Sequence, residues 1–428
     1  MSETNYDMKY IKSRFNIIIN GNDNEFILYN TRTSSICVMD SITSEFYNKF
    51  NNNLDLEYFG EIYKSMTDQG FFVRSHEWEL EVLRHNLNLS KYSKKNLTLT
   101  IAPTMKCNLS CSYCFESNKS FGPMNEETIH SLVKFVSKKL NAEMKLRITW
   151  FGGEPLLEIN IMKKITKMLV EICAKKNCIY EASIVTNGSL ISNSTLADLK
   201  ELFISDVQIT LDGSRELHNK KRFLSNGIGT YDILLKSIEN LKSTGFNVTV
   251  RLNLDKNNVN TIKEVHEDLN GLNSGRILLK LARIEPIGSD EIDKNCLYVN
   301  EIAQSELDYF NIISNPNINI PKRINNYCSA DQILGYVIDS AGYIYKCWSD
   351  IGKVDNSIGH LDDNSLCNES RYLNFIGFDA TYDEECSNCN VLPLCMGGCP
   401  NNRIKGIKTC SNLKYNICDI IKLAVVHY

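Results

Sequence analysis

Residues 95–285 predict an α/β fold built on a parallel sheet, and three observations carry that reading. Six short apolar runs recur along the stretch, at 97–101, 146–151, 182–186, 207–211, 248–254 and 277–284. Segments with apolar residues at helical spacing separate them, among them 126–140, 159–175, 230–243 and 261–269. The regions on either side do not alternate in this way. Successive strand–helix units imply right-handed crossovers between parallel strands. In such sheets chemistry lies at the strand C-terminal ends, in the loops that follow them.

The flanking regions read differently. In residues 1–94, runs at 15–19 and 25–29 are strand-like and flank the turn Gly21-Asn22-Asp23-Asn24. Helical stretches follow at 42–50 and 56–68, then the short run Phe71-Phe72-Val73. This order suggests a small winged-helix-like module. Residues 286–327 read as a connecting segment broken by Pro286, Gly288, Pro316 and Pro321. Residues 328–428 form a cysteine-rich C-terminal region.

Composition narrows the function. The chain has 428 residues, 43% of them apolar and 23% charged, as expected of a globular protein with two or three units. A net charge of −4 gives no support for nucleic-acid binding. No apolar run reaches the ~18–20 residues needed to span a bilayer. The polar opening Met1-Ser2-Glu3-Thr4-Asn5 lacks the pattern of a secretory signal, so a cytoplasmic location is expected. In a reducing compartment, sixteen cysteines read as metal ligands before they read as disulfides. Cys37, Cys173, Cys178 and Cys296 are scattered and read as small hydrophobes.

The first strand leads into Met105-Lys106-Cys107-Asn108-Leu109-Ser110-Cys111-Ser112-Tyr113-Cys114-Phe115, a C-x3-C-x2-C triplet. Three thiolates on one loop can ligate three irons of a [4Fe–4S] cubane and leave the fourth without a protein ligand, whereas a structural cluster normally takes four cysteines. A zinc site completed by a distant residue is the competing reading, but the C-x3-C step fits it poorly. After the second strand comes Trp150-Phe151-Gly152-Gly153-Glu154-Pro155, where two glycines permit close backbone approach beside a carboxylate. The third strand ends Ser183-Ile184-Val185-Thr186-Asn187-Gly188, and the fourth runs into Asp212-Gly213 followed by His218 and Arg222.

With these four segments in this order, the chain resembles the radical S-adenosylmethionine (SAM) superfamily. The resemblance implies an open, partial (β/α)6 barrel. It implies that Cys107, Cys111 and Cys114 hold a SAM-binding [4Fe–4S] cluster. Gly152, Gly153 and Glu154 would meet the SAM amino group, Ser183 and Asn187 its ribose and methionine parts, and Arg222 its carboxylate. A guanidinium fork suits that last task. Reductive cleavage of SAM would give a 5′-deoxyadenosyl radical that abstracts hydrogen from substrate.

The C-terminal cysteines follow as Cys328-x13-Gly342-x4-Cys347, then Cys386, Cys389, Cys395 and Cys399 as C-x2-C-x5-C-x3-C, then Cys410 and Cys418. This array resembles the SPASM domain, which implies two auxiliary [4Fe–4S] clusters and three in all. By the resemblance, cluster I takes Cys328, Cys347 and Cys399. Cluster II takes Cys386, Cys389 and Cys395 with Cys410, or else Cys418. A zinc ribbon would account for the four-cysteine run alone. Anaerobic sulfatase maturases, a branch of this group, carry a cysteine between the positions of Cys328 and Cys347, and an aspartate base directly after the latter. Here no cysteine intervenes, Trp348 follows, and Asp350 comes two residues later.

The resemblance thus implies a maturase acting on a ribosomally made precursor peptide. Without the intervening cysteine, cluster I would have three protein ligands and an open iron able to bind a substrate thiolate, which makes thioether formation at cysteine the leading chemistry. A C–C crosslink, epimerisation and formylglycine formation are the enzymatic alternatives, and an iron–sulfur electron carrier the non-enzymatic one. The implied partners are the peptide, bound by strand addition to the N-terminal module, and a flavodoxin- or ferredoxin-type electron donor.

Overall fold

The computed structural model describes residues 10–21, 25–50, 56–114, 121–270, 276–286, 293–313, 318–363 and 367–426. Phe115, Asn22 to Asn24, Gly288 and Pro316 lie outside them. The chain divides into two compact units, each discontinuous in sequence.

The first unit comprises Met1–Tyr92, Phe310–Asp331 and Gly377–Tyr428. Its strands are β1 (Ile11–Lys12), β2 (Asn16–Asn20), β3 (Phe26–Asn30), β4 (Ser35–Met39) and β5 (Phe72–Val73), with helices α1 (Ser41–Lys49), α2 (Leu56–Asp68) and α3 (His76–Lys91). Strands β2, β3 and β4 form an antiparallel sheet in that order, with Ile18 opposite Leu28 and Leu28 opposite Cys37. Both faces of the central strand are buried. Ile17, Ile19, Ile27 and Tyr29 pack with Val391, Leu394, Ile417 and Ile421 from the C-terminal region. Leu28 and Met39 pack with Phe46, Tyr47, Met66, Phe71 and Phe72. Glu79 on α3 is fully buried; it accepts hydrogen bonds from Ser13 and the Arg14 amide, and pairs with Arg32 at 3.2 Å.

The second unit comprises Ser93–Tyr309 and Gln332–Ile376. Six strands follow one another in parallel: β6 (Asn96–Ile101), β7 (Lys145–Trp150), β8 (Ile179–Thr186), β9 (Ile204–Leu211), β10 (Asn247–Leu254) and β11 (Ile277–Arg283). Between them lie α4 (Glu126–Lys139), α5 (Ile159–Lys176), α6 (Asn193–Glu201), α7 (Arg215–Lys221), α8 (Tyr231–Ser243) and α9 (Ile262–Asn270). Helices α6 and α7 are additions to the elements expected from periodicity.

Period-two alternation fixes which face of each strand is dry. Leu97, Leu99 and Ile101 of β6, Leu146, Ile148 and Trp150 of β7, and Val248, Val250 and Leu252 of β10 enter one core with the helices. The alternate residues are mainly polar: Thr98 and Thr100, Thr149, Ser183, Gln208 and Thr210, then Thr249, Arg251 and Asn253. Among the described residues β11 pairs only with β10, so the parallel array does not close. It is an open, partial (β/α)6 barrel. Beyond β6 the sheet is extended by β12 (Gly335–Ile338), parallel to β6, and then by the antiparallel strands β13 (Tyr343–Tyr345) and β14 (Gly359–His360). Among the described residues no helix is long and apolar enough to cross a membrane.

Candidate active site

The loop leaving β6 carries Cys107, Cys111 and Cys114, all partly exposed. It is held by the loop leaving β7: the Gly153 amide donates to the Thr104 carbonyl at 3.3 Å, and the Glu154 amide to the Lys106 carbonyl at 2.9 Å. Both glycines are required by contact. A Cβ on Gly153 would lie 2.2 Å from the Lys106 carbonyl oxygen, and one on Gly152 would lie 2.5 Å from that of Thr104. Gly152 also has φ +103°, which disfavours any side chain. On its far side the cysteine loop is pinned by Phe223, whose carbonyl accepts from the Ser110 amide at 3.0 Å.

Glu154 is fully buried. One carboxyl oxygen accepts from the Thr186 hydroxyl at 2.8 Å and the Leu156 amide at 3.0 Å; the other accepts from the Asn187 amide at 2.7 Å. Burial pushes its pKa up to about 7, although the hydrogen bonds from Asn187, Thr186 and Leu156 oppose that rise. The Asn187 side chain reaches the triplet, donating to Asn108 at 2.8 Å and to the Cys107 sulfur at 3.7 Å. Ser183 lies further back on β8, against Thr149 at 3.1 Å.

Arg222, at the end of α7, is 13% exposed and ion-paired with Asp212. Its Nη2 donates to the Tyr113 hydroxyl at 2.8 Å, and Asn253 donates to the same oxygen at 3.3 Å. Tyr113 donates in turn to Asp212. Burial opposes ionisation of Asp212, but the Arg222 guanidinium beside it prevails and holds the carboxyl below its ordinary range. His218 accepts from the Asp212 amide at 3.2 Å and contacts Thr230 at 3.0 Å; burial lowers its pKa to about 4, so the ring is neutral near pH 7. Tyr113, Asp212, His218 and Asn253 were not singled out as site residues from sequence. Tyr113 between two cysteines, and Asp212 and His218 at fixed offsets before Arg222, were the available signals.

The donor set fits a cluster. The Cys111 thiol is raised to about 11 by burial and senses both Cys107 and Cys114, so the three sulfurs share one neighbourhood. One oxygen of the buried Asp212 carboxylate has no hydrogen-bond partner among the described residues, which leaves an acceptor beside the triplet. Among the described residues no three His, Cys, Asp or Glu side chains group as a single-ion site.

A second cysteine group lies in the first unit. Cys386, Cys389, Cys395 and Cys410 line one pocket with Arg403, Lys408 and Lys414. Burial raises the Cys395 thiol to about 11, with Cys389, Cys386 and Cys410 close enough to add to the rise. Cys418 is exposed and is not part of this lining. Cys328 and Cys399 belong to the first unit, and Cys347 to the second. After Cys347, Trp348 is 42% exposed and stacks on Phe151, ring centroids 5.3 Å apart. Asp350 is buried, ion-paired with Arg371 at 2.9 Å and bonded to Asn356 at 3.1 Å.

Residues 101–269 match the model of the Radical SAM superfamily. Among curated relatives, the cysteine-type anaerobic sulfatase-maturating enzyme of Clostridium novyi (strain NT) is 28% identical over 351 residues, covering 72% of this chain and 89% of that protein. The radical SAM cyclopropyl synthase TigE of Paramaledivibacter caminithermalis is 22% identical over 463 residues, covering 96% and 94%. Two solved structures share the fold. One is native anSMEcpe with bound AdoMet and Cp18Cys peptide, with TM-score 0.61 and 21% identity over 78% of this chain and all of that one. The other is Streptococcus suis SuiB bound to the precursor peptide SuiA, with TM-score 0.52 and 17% identity over 94% and 98%. Residues 101–269 are a radical SAM domain, and the named relatives that carry this domain are enzymes.

Proposed function

We propose that this enzyme is a peptide maturase that uses the 5′-deoxyadenosyl radical to join a cysteine sulfur to a carbon of a ribosomally made precursor. The observation that carries the reading is the environment after Cys347. Trp348 takes the position of a base, and Asp350 is buried with its carboxyl oxygens engaged by Arg371 and Asn356. That disfavours formylglycine formation. Coverage points the same way. SuiB and TigE align with 94–96% of this chain, N-terminal module included, whereas anSMEcpe aligns with 78%. The outer strand β4, with Val38 and nearby Ile42 about half exposed, supports strand addition by a leader segment.

When bound, SAM and the cluster supply the radical. The chain's own part is to seat and orient. Cys107, Cys111 and Cys114 would be the cluster ligands, Gly152 and Gly153 would give backbone close to SAM, and Glu154, buried and held by Thr186, Leu156 and Asn187, would fix the segment that meets its ammonium. Ser183 and Asn187 would serve its ribose and methionine parts, and Arg222, fixed by Asp212 and Tyr113, would receive its carboxylate. Cys328, Cys347, Cys386, Cys389, Cys395, Cys399 and Cys410 are proposed auxiliary ligands, and a flavodoxin- or ferredoxin-type protein is the proposed reductant. Thioether formation removes two hydrogens from the peptide. One leaves on 5′-deoxyadenosine; the other leaves as the thiol proton and an electron that an auxiliary cluster would accept.

The end-to-end match to a cyclopropyl synthase favours C–C bond formation as the second reading. Anaerobic incubation with SAM, dithionite and a cysteine-containing precursor separates the two. The thioether reading expects 5′-deoxyadenosine, a product lighter by two hydrogens, and one fewer thiol open to alkylation. The same mass loss with every thiol still alkylated would refute it in favour of a C–C bond.

A further inference from the structure

The pocket of the first unit holds cationic donors aimed at sulfur. Arg403 is clamped on three sides: Nε donates to the Gly397 carbonyl at 2.8 Å, Nη1 pairs with Asp383 at 3.4 Å, and the guanidinium lies 5.2 Å from the centre of the Phe378 ring. What remains, Nη2, donates to the Cys386 sulfur at 3.2 Å. Lys414 is tethered to Glu385 at 3.0 Å and donates to the Cys410 sulfur at 3.8 Å. Lys408 binds both Asp383, at 2.9 Å, and Glu385, at 2.6 Å, so the two carboxylates are occupied by cations.

We propose that Arg403 and Lys414 set the reduction potential of the cluster held by Cys386, Cys389, Cys395 and Cys410, keeping it above the value the same four thiolates would give alone. This rests on the reading of those cysteines as cluster ligands. Reduction adds negative charge to a cluster whose four thiolates already make it anionic. A cation hydrogen-bonded to a ligand sulfur stabilises the reduced form more than the oxidised one, and net charge and hydrogen bonds to sulfur are principal determinants of such potentials. Arg403 is only 11% exposed, so solvent screens its charge little. Its clamped geometry also means that little reorganisation accompanies electron transfer.

The test uses the full chain, reconstituted anaerobically, in a redox titration followed by electron paramagnetic resonance. The relevant signal is the one that disappears in Cys395→Ala. Arg403→Met and Lys414→Met are each expected to keep their iron and shift that signal to a more negative potential. At fixed potential the reduced-to-oxidised ratio should fall about tenfold, equivalent to ~59 mV for one electron. Arg403→Lys, which keeps the charge, is expected to fall between parent and Arg403→Met. Unchanged midpoints in iron-loaded variants would overturn the proposal, and if Arg403→Met loses iron, Lys414→Met and Arg403→Lys decide it. A parent with no signal dependent on Cys395 overturns the ligand reading instead, and this proposal with it.

Discussion

Glu154→Gln isolates what burial does to one carboxyl. In the parent the group is fully buried, with a pKa of about 7 against an ordinary value of 4.5. A folded-state pKa above the unfolded one means that the fold binds the proton more tightly. The resulting stability is fully present below about pH 4.5 and is lost as pH rises to about 7. At about 1.4 kcal/mol for each pH unit, the loss is about 3 kcal/mol. Glutamine has the same shape and does not titrate. Its best orientation keeps the oxygen toward Thr186 and Leu156, and sets its NH2 against the Asn187 amide. That mismatch costs about 1–3 kcal/mol at every pH. The variant should therefore be less stable than the parent near pH 5 and about equal, or slightly more stable, above pH 7.

The assay is denaturant unfolding of the cluster-free protein at a series of pH values. Trp150, buried at the end of β7 four residues before Glu154, contributes to the fluorescence signal. Only the difference between parent and variant is read, so that other titrating groups cancel. A difference that stays constant from pH 4.5 to 7 would refute the reasoning, because burial would then not be what governs this carboxyl.

Three further outcomes are expected. Gly153→Ala, whose methyl meets the Lys106 carbonyl at 2.2 Å, should lose the about four irons of the SAM cluster, while Gly122→Ala, with nothing within 4 Å, should keep them; iron analysis after reconstitution decides. Cys410→Ala should lose the cluster proposed for the first unit and Cys418→Ala should not, since only the former lines the pocket; iron and sulfide content with the resonance spectrum tells them apart. Arg371→Met strands the buried Asp350 and should cost about 3–5 kcal/mol in unfolding free energy, whereas Asp350→Asn should still form product; a stable Asp350→Asn protein without product would restore Asp350 as a base.

The six parallel strands were legible because their dry faces alternate strictly, as Leu97, Leu99 and Ile101 do. The triplet and the Gly-Gly-Glu segment were legible because close spacing in sequence imposes close spacing in space. Less was readable where contacts are long in sequence. β12 is only four residues long, too short for a periodic signal, yet it adds Gln332–Ile376 to the barrel unit. The joining of Ile17 and Ile27 with Ile417 and Ile421 into one core follows from complementary surfaces that no local pattern encodes. The partners of Arg222, Tyr113 and Asp212, stayed hidden for a related reason. Arg222 follows Lys220 and Lys221, but one turn of α7 turns those lysines to Glu216 and Asp255 while Arg222 goes inward to Asp212.

The motif residues share a second task. Gly153 and Glu154 bind the end of β7 to the start of the cysteine loop, and the Glu154 carboxyl binds it to the end of β8. Asn187 ties β8 to Cys107, and Asp212 with Arg222 ties β9 to Tyr113 within the triplet. The ends of four strands are thus cross-braced through the residues that the chemistry would use. Loss of SAM cleavage in a variant of Gly153 or Asn187 therefore does not by itself assign a role in SAM binding, because the loop that carries the thiols depends on both. Arg222 is the better probe. Arg222→Lys keeps a cation beside the buried Asp212 while it removes the planar fork. An Arg222→Lys protein that keeps its iron but binds SAM weakly would locate the cofactor carboxylate in a way that the glycine and asparagine variants cannot.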